Sequence, residues 1–525
     1  MILKPTDHPY FMKYRRTFRN YVLLVGILTF GCAVKAQQPN IVIIISDDHA
    51  YQTIGAYGSK WVQTKNIDRL AKEGAIFTKS YVTNSICGPS RAAILTGKYS
   101  NKNGFKDNEN SNFDFNQDNF AKALQKVGYQ TAWIGKMHLG NNTPQGFDYY
   151  SILPDQGRYY NPDFIQMDNT RKKFQGYVTD IVTDEAEKWM KKRDEAKPFC
   201  LVIGHKATHR TWMPALEDLG RYDSIKFELP SNFYDDYKTR KAAAIQDMSI
   251  ARTMTLRNDL KMYDGQPLNH SGDISDMTED QQKQWHAYYD KIKMQFEKEK
   301  PVGRALTEWK YQRYMKDYLS TAASLDRNIG KTLDYLDKSG LAKNTIVIYL
   351  SDQGFYMGEH GWFDKRWMYE QSFRTPMLMR YPGLVKPGST IDQFLLNIDI
   401  APTLLQAAGA AVPTEMQGLS FLPLLKKQRY TAREAIYYHY YENGEHAVSP
   451  HFGVKTNRYK LIRFYKRVEH WELFDLQNDP DELHNIYDSK AAAPIVKEMK
   501  AKLNALIKKY QDTEAAKIFN TGIKK

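Results

Sequence analysis

A cysteine, a proline and an arginine lie within five residues of one another near the start of the chain. Cys87 opens the run C-G-P-S-R, which ends at Arg91. Pro89 is typical of a first helical turn and Gly97 of a helix end, so we expect a helix with Cys87 at its N-terminus. Such a terminus favours a bound anion, which Arg91 could also meet. A purely structural cysteine at a helix cap fits the same spacing.

Oxygen-bearing side chains follow two apolar runs. Asp47 and Asp48 come directly after one run, and Asp352 and Gln353 follow another. In open α/β sheets, sites form at the carboxyl ends of strands. Three carboxylates and an amide suit Ca²⁺ or Mg²⁺ better than zinc. Either pair alone could instead cap a helix or form a turn.

Cations and histidines lie in comparable positions. Lys136 and His138 follow one apolar run, His209 follows another, and Lys365 lies downstream of Asp352. These residue types suit anion binding and proton transfer. A lone histidine is usually structural and a lone lysine is usually solvated. Their shared position after strands of one sheet favours a common site.

The elements that must position these residues alternate along the chain. Continuous apolar runs predict buried strands at residues 40–46, 131–134, 199–204 and 345–350. Helical patterns lie between them at residues 66–73, 120–127, 179–191 and 311–337. The alternation predicts an α/β sandwich with a mainly parallel central sheet and helices on both faces. We expect the polar segment at about 206–310 to be an insertion of helices and loops over one face.

The pattern changes near residue 430. Short strand-like runs at residues 434–441, 452–456, 459–464 and 471–475 precede a helical pattern at 491–510. We therefore expect a catalytic domain over residues 37–429. A smaller C-terminal α+β domain with an antiparallel sheet would follow over residues 430–525.

Residues 1–36 have the pattern of an export signal. Basic residues precede a short apolar run at residues 21–30, and small residues end at Ala36. We expect cleavage there and an exported protein, periplasmic or secreted, without stable membrane insertion. An uncleaved anchor is one alternative, and a surface lipoprotein attached through Cys32 is another.

Net charge indicates the class of partner, and cysteine content indicates whether disulfides stabilise the fold. Residues 1–36 carry six basic residues and one acidic residue, so cleavage lowers the formal net charge from +14 to +9. This excess favours anionic partners such as sulfated glycans, and with no nucleic-acid-binding motif visible we expect no nucleic acid partner. Only Cys87 and Cys200 remain after cleavage, which excludes a disulfide framework.

Two long motifs resemble a known family. The run from Cys87 to Lys98 matches the sulfatase signature C-x-P-S-R-x-x-x-L-T-G, and residues 128–138 match the second sulfatase signature. The chain thus resembles the type I, formylglycine-dependent sulfatases over nearly all of its mature length. The resemblance implies an alkaline-phosphatase-like sandwich with a small C-terminal domain.

The resemblance also implies a mechanism. A maturation enzyme would oxidise Cys87 to formylglycine, whose hydrated aldehyde attacks sulfur and later expels sulfate. It implies these Ca²⁺ ligands: Asp47, Asp48, the modified residue 87, Asp352 and Gln353. It assigns Arg91 to the formylglycine hydrate, His138 to pairing with that residue, Lys136 and Lys365 to sulfate oxygens, and His209 to protonating the leaving oxygen.

The implied substrate is a sulfated glycan. Residues 354–366 and 450–462 resemble bacterial N-acetylglucosamine-6-sulfatases, which implies the 6-O-sulfate of N-acetylglucosamine in glycosaminoglycans or mucin-type glycans. Asp364, Arg366 and His451 would then hold sugar hydroxyls. Asp364 and Arg366 could instead pair with each other or with neighbours.

Several other functions remain open at this point. The first alternative is a sulfatase that acts on another sulfated sugar or on another sulfate position. A phosphonate or phosphate ester hydrolase of the same superfamily is a second, although the oxygen-rich ligand set argues against the two zinc ions typical of such phosphatases. A non-catalytic glycan-binding protein is a third, and it requires that Cys87 stay unmodified.

Overall fold

A computed structural model describes residue 1, residues 38–262 and residues 274–521. Apart from Met1, the predicted export segment at residues 1–36 lies outside the described residues. Within the described ranges, no helix combines the length and the apolar character needed to cross a bilayer.

Most strands are short, and the longest are those that the sequence predicts to be buried. In chain order they are β1 (Asn40–Ser46), β2 (Ala75–Phe77), β3 (Ser80–Tyr81), β4 (Gln130–Lys136), β5 (Tyr149–Leu153), β6 (Asp163–Ile165), β7 (Arg171–Lys173), β8 (Phe199–Gly204), β9 (Thr345–Ser351), β10 (Met377–Arg380), β11 (Ser389–Ile391), β12 (Leu395–Leu396), β13 (Ile436–Tyr440), β14 (His451–Lys455), β15 (Tyr459–Phe464) and β16 (His470–Asp475).

The α-helices lie between and after these strands. They are α1 (Lys65–Glu73), α2 (Cys87–Thr96), α3 (Ser100–Asn103), α4 (Phe120–Gln125), α5 (Val178–Lys192), α6 (Lys241–Ile245), α7 (Glu279–Glu299), α8 (Gly303–Lys338), α9 (Glu370–Phe373), α10 (Ile400–Ala407), α11 (Leu422–Leu425), α12 (Ala493–Lys509) and α13 (Thr513–Thr521).

One ten-stranded sheet forms the centre of the protein, in the order β11-β2-β10-β9-β1-β8-β4-β5-β6-β7. The five strands from β9 to β5 run parallel to one another. Antiparallel partners flank them, because β10 opposes β9 and β6 opposes β5. The prediction of a mainly parallel sheet is confirmed.

The alternation of side chains along β1 explains why helices cover both faces. Ile43 packs in a cluster with Phe120 of α4 and Leu404 of α10. Its neighbour Ile44 points the other way, into a cluster with Leu333 of α8. Successive residues of a strand face opposite sides, so a fully apolar strand needs a cover on each face.

A separate antiparallel sheet forms near the C-terminus, in the order β13-β14-β15-β16. Leu503 and Ile507 of α12 pack in one cluster with Val454 and Leu461 of this sheet. The predicted small α+β unit is therefore present. Its boundary at residue 430 stays a prediction, because the chain from residue 39 onward forms one compact unit.

The polar segment at residues 206–310 contains loops, short helices, α7 and the start of α8. Residues 263–273 of this segment lie outside the described residues. α8 begins at Gly303, eight residues before the helix that the sequence predicts. Its first three residues are exposed and the next four are only partly buried, and this part of the helix lacks the apolar periodicity that marks a buried helix face.

Candidate active site

The carboxyl ends of β1 and β9 bring acidic side chains together. The two strands are parallel, with Ser46 opposite Ser351, so the residues that follow leave the sheet at one edge. Asp47, Asp48 and Asp352 are fully buried and each places a carboxylate oxygen within 4.8 Å of the others. The Asp48 backbone N–H donates to Asp352 Oδ1 at 3.2 Å. The predicted acidic cluster is therefore assembled.

Burial makes this cluster unfavourable without a cation. Burial, together with the charge of Asp47, raises the pKa of Asp352 to about 8, and burial raises the pKa of Asp48 to about 6. Asp47 Oδ1 and Gln353 Oε1 are buried and have no hydrogen-bond partner among the described residues. A hard divalent cation would satisfy both oxygens and offset the negative charge, so the donor set fits Ca²⁺.

Cys87 is the first residue of α2, and Gly97 ends that helix in the left-handed region. The helix predicted from the motif is confirmed. Cys87 Sγ lies 3.8 Å from Gln353 Nε2, and the residue is only 1% exposed. Burial, and then the charge of Asp47, raise the pKa of the Cys87 thiol well above its usual range. The unmodified side chain is therefore a protonated thiol and a weak nucleophile.

Arg91 joins the cysteine helix to the acidic cluster. Its Nε donates to Asp352 Oδ2 at 2.8 Å, and its Nη1 donates to the backbone oxygen of Lys136 at 2.8 Å. Its Nη2 is buried and has no partner among the described residues. The guanidinium thus fixes two strand ends and keeps one donor group for a further acceptor.

Two lysines approach the cluster from separate elements. Lys136 Nζ, at the end of β4, donates to Asp47 Oδ2 and lies 2.5 Å from Gln156 Oε1. Lys365 Nζ donates to Asp48 Oδ2 at 2.7 Å. Burial lowers the pKa of Lys365, but the surrounding acidic groups, Asp48 foremost, together outweigh burial and hold that pKa well above its usual range. Lys365 therefore carries a positive charge beside the cysteine.

His209 lies at the same edge of the sheet. One ring nitrogen of His209, one carboxylate oxygen of Asp47 and Cys87 Sγ lie within 4.8 Å of one another. His209 Nδ1 donates to the backbone oxygen of Arg210 at 2.7 Å, which leaves Nε2 to face the site. Burial, and then Lys136, lower the pKa of His209 well below its usual range. His209 therefore lies beside Cys87 and Asp47, and its role as the proton donor to the leaving oxygen stays a prediction.

His138 occupies the wall behind Lys136. Its Nε2 lies 3.3 Å from Asp155 Oδ1 and 3.1 Å from Gln156 Nε2, while its buried Nδ1 has no described partner. Burial lowers the pKa of His138 to about 4. The pairing of His138 with residue 87 stays a prediction.

Comparison with known proteins identifies the family. A model named "Sulfatase" matches residues 39–410, and a model named "N-sulphoglucosamine sulphohydrolase, C-terminal" matches residues 358–509. The first model covers most of the chain. The chain belongs to the sulfatase family. As a sulfatase it is a sulfuric ester hydrolase.

Individual relatives extend over nearly the whole sulfatase. An N-acetylglucosamine-6-O-sulfatase of Bacteroides thetaiotaomicron is 45% identical and aligns over 91% of this chain and 88% of its own length. An arylsulfatase of Clostridium perfringens is 27% identical over 86% of this chain and 91% of its own length. A solved structure in complex with its substrate D-glucosamine-2-N,6-O-disulfate is 45% identical, with a TM-score of 0.88, and covers 91% of this chain and 99% of its own.

The loop after β9 carries the two residues predicted to hold the sugar. Both are paired in this sulfatase, in line with the alternative that the sequence left open. Asp364 Oδ2 lies 3.0 Å from His446 Nε2. Arg366 Nη1 donates to Glu442 Oε1 and to the Tyr440 hydroxyl, the latter at 3.3 Å. Asp364 Oδ1 lies 3.7 Å from Arg366 Nε. An acceptor and a donor therefore lie side by side on either side of Lys365 in the sequence.

His451 does not reach the site in the predicted way. It is fully buried in β14, where its Nε2 accepts from the Met368 backbone N–H at 3.1 Å and its Nδ1 donates to the Ser449 oxygen at 2.9 Å. Its ring also packs against Tyr440, the residue that contacts Arg366. Since both ring nitrogens are used by the backbone, direct contact with a sugar hydroxyl is not supported.

Sequence reasoning missed four residues at the site: Gln156, Lys206, Glu442 and His446. Gln156 lies between Lys136 and His138, and the ammonium of Lys206 donates to its backbone oxygen at 3.1 Å. Glu442 and His446 come from the segment after β13. Lys206 follows β8 by two residues, which is a positional signal, whereas Gln156, Glu442 and His446 offered only their polar character, which does not predict a position.

Proposed function

We propose that this sulfatase hydrolyses the 6-O-sulfate of N-acetylglucosamine in a sulfated glycan, of glycosaminoglycan or mucin type. The observation that carries the proposal is the position of Cys87. It begins a helix beside three buried carboxylates, with His209 within 4.8 Å. The substrate assignment is supported by the 45% identical N-acetylglucosamine-6-O-sulfatase and by the solved relative that holds a 6-O-sulfated glucosamine.

The nucleophile in this proposal is residue 87 after maturation to formylglycine. The modified side chain would supply the hydroxyl that attacks sulfur. The protonated, buried thiol of Cys87 supports the need for this change, because it is a weak nucleophile as it stands. Since Cys87 is 1% exposed, the maturation enzyme must act before the chain folds.

A calcium ion would complete the site. Its proposed ligands are residue 87 and the four oxygen-bearing residues at the strand ends: Asp47, Asp48, Asp352 and Gln353. When bound, it would supply fixed positive charge next to the sulfate oxygens. The unpartnered Asp47 Oδ1 and Gln353 Oε1 support this role.

The remaining charged groups act on the sulfate and on the leaving sugar. The ammonium groups of Lys136 and Lys365 bind sulfate oxygens and offset the charge that develops in the transition state. Arg91 orients Asp352 and directs its unpartnered Nη2 towards an acceptor on residue 87 or the sulfate. His209 Nε2 delivers a proton to the departing sugar oxygen.

The sugar itself lies against the loop after β9 in this proposal. Asp364 accepts from one sugar hydroxyl and Arg366 donates to another. Glu442 and His446 hold these two side chains in place, since each is within hydrogen-bond distance of its partner. His451 acts behind them by supporting Tyr440.

The chain would act outside the cytoplasm, in the periplasm or after secretion. The basic and apolar pattern of residues 1–36 supports export. Its partners would be the maturation enzyme during synthesis and a sulfated carbohydrate afterwards.

The deciding experiment measures sulfate release by the matured protein from a panel of sulfated monosaccharides, with and without a calcium chelator. Mass spectrometry of the residue-87 peptide establishes maturation, and Cys87→Ala is the inactive control. We expect release from 6-sulfated N-acetylglucosamine that stops with chelator and returns with Ca²⁺. Release from other sugars alone would contradict the substrate, and release that chelator does not affect would contradict the metal.

A further inference from the structure

A second cavity opens beside the proposed sulfate site. It has a volume of about 670 Å³, within the range of about 300–1,000 Å³ that is usual for small-molecule sites. His138 and Asp155 form part of its wall, and these are the residues that contact each other behind Lys136. The residues proposed to hold the sulfated sugar, Asp364 and Arg366, do not line it.

Asn108 lines the cavity and also contacts the neighbours of Cys87 and of Arg366. Its Oδ1 accepts from the Gly88 N–H at 3.1 Å, one residue beyond Cys87. Its backbone N–H donates to Glu442 Oε2 at 3.3 Å, and Glu442 in turn pairs with Arg366. A ligand that extends from the sulfate site past Glu442 would therefore reach Asn108 in the wall of this cavity.

The lining of the cavity combines apolar and polar side chains and carries little positive charge. Its polar part consists largely of amide and hydroxyl side chains: Asn108, Ser111, Asn112, Asn141, Asn142, Thr143 and Asn169. Among the lining residues that the structure describes, Glu109 and Asp155 are the acids and Arg171 is the cation able to offset them. With His138 neutral at neutral pH, the formal charge of the lining is negative. At the proposed sulfate site, by contrast, Lys136 and Lys365 place two ammonium groups where sulfate oxygens would bind.

Asn112 shows how such a lining could bind a sugar. Its Oδ1 accepts from the Asn141 backbone N–H at 3.2 Å, which fixes the amide and leaves its NH₂ group for a ligand. Glu109 adds an exposed carboxylate at the same wall. Amides both donate to and accept from hydroxyls, while carboxylates accept from hydroxyls and repel anions.

We propose that this cavity binds the sugar next to the sulfated one and selects an uncharged sugar over a uronic acid. This inference rests on the proposed function and narrows its substrate class. The sulfate site recognises one anionic group, and the adjoining cavity disfavours a second. The preferred glycans are then those in which 6-sulfated N-acetylglucosamine is joined to a neutral hexose.

The test compares kcat/KM for three substrates: 6-sulfated N-acetylglucosamine alone, the same sugar joined to galactose, and the same sugar joined to glucuronic acid. We expect the galactose disaccharide to exceed the glucuronic acid disaccharide by about tenfold or more. Asn112→Ala should lower kcat/KM for the galactose disaccharide by about three- to tenfold, the effect of one lost hydrogen bond, and leave the monosaccharide unchanged.

Two further variants make the test specific. Asn110→Ala is the matched control, since Asn110 is an exposed asparagine of the same loop that does not line the cavity. It should change none of the three rates. Glu109→Lys should raise kcat/KM for the glucuronic acid disaccharide relative to kcat/KM for the galactose disaccharide, because it replaces a charge that repels the uronic acid with one that attracts it.

Equal rates for the two disaccharides, a preference for the uronic acid, or equal effects of Asn112→Ala and Asn110→Ala would each overturn the inference. Failure of the proposed function is a separate result, seen as no release even from the monosaccharide. In that case, titration calorimetry measures the affinity of the Cys87→Ala variant for each of the two disaccharides. Tighter binding of the galactose disaccharide supports a neutral-sugar cavity, and equal or weaker binding contradicts it.

Discussion

Arg91 Nε donates to Asp352 Oδ2 at 2.8 Å, and both side chains are fully buried. This hydrogen bond holds the carboxyl end of β9 against the helix that begins with Cys87. Since the second arm of the guanidinium holds the end of β4, one residue fixes the relative positions of Cys87, Asp352 and Lys136.

Arg91→Lys should therefore lower kcat by about a hundredfold. Lysine keeps the charge but cannot bond Asp352 and the Lys136 backbone oxygen at the same time. Sulfate release is the measurement, and mass spectrometry must show that residue 87 is modified to the same extent in both proteins, because Arg91 belongs to the C-G-P-S-R motif. Arg158→Lys, at a half-exposed surface position, is the control. Unchanged kcat in a fully matured Arg91→Lys protein would refute the positioning role.

Gln156→Ala should lower kcat by about ten- to a hundredfold and change KM much less. Gln156 Oε1 lies 2.5 Å from Lys136 Nζ, and its Nε2 lies 3.1 Å from His138 Nε2. Loss of a hydrogen bond to a charged group costs roughly 1.5–3 kcal/mol. Steady-state kinetics on the sulfated sugar provides the measurement. Gln145→Ala, an exposed glutamine of the preceding loop, should match the unaltered protein; a loss confined to KM would show that Gln156 serves binding only.

His209→Ala should distinguish substrates by their leaving groups. A sugar alkoxide needs a proton as it departs, so we expect a loss of about 10²–10⁴-fold on the sulfated sugar. A nitrophenyl sulfate releases a stable phenolate and should lose far less. His286→Ala, on the surface helix α7, is the control. Equal losses on both substrates would mean that His209 supports the site without protonating the leaving oxygen.

The sequence predicts the parts of the site that depend on local rules. Apolar runs predict β1 and β9, and the residues after them follow from the geometry of a parallel sheet. The motif around Cys87 predicts α2 from a proline and a glycine. These features hold because each is determined within about ten residues, by periodicity or by helix capping.

The rest depends on contacts between distant segments. Gln156 lies twenty residues beyond Lys136, and no local pattern brings it back. His446 and His451 are five residues apart, and the sequence predicted the sugar contact for His451. His451 enters β14 and is enclosed by the sheet, while His446 remains in the preceding turn and reaches Asp364.

Glu472 gives a prediction about stability away from the site. It is fully buried in β16, where Oε2 accepts from the Tyr369 hydroxyl at 2.7 Å and Oε1 has no partner among the described residues. Burial raises the pKa of Glu472 to about 8, although Tyr369 and Arg240 act in the opposite direction. An unfolded glutamate has a pKa of about 4.3, so between these values the folded protein holds a proton that the unfolded chain has lost. The free energy of unfolding must then fall as pH rises through this window and level off above pH 8.

Glu472→Gln should remove this contribution, because the amide keeps the shape and cannot ionise. Between pH 5 and pH 9, the free energy of unfolding measured in urea should fall by roughly 2–4 kcal/mol more for the unaltered protein than for the variant. Glu498→Gln, on the exposed side of α12, should behave like the unaltered protein. Parallel pH profiles for the unaltered protein and Glu472→Gln would show that Glu472 is ionised in the folded state, with Arg240 providing the compensating charge.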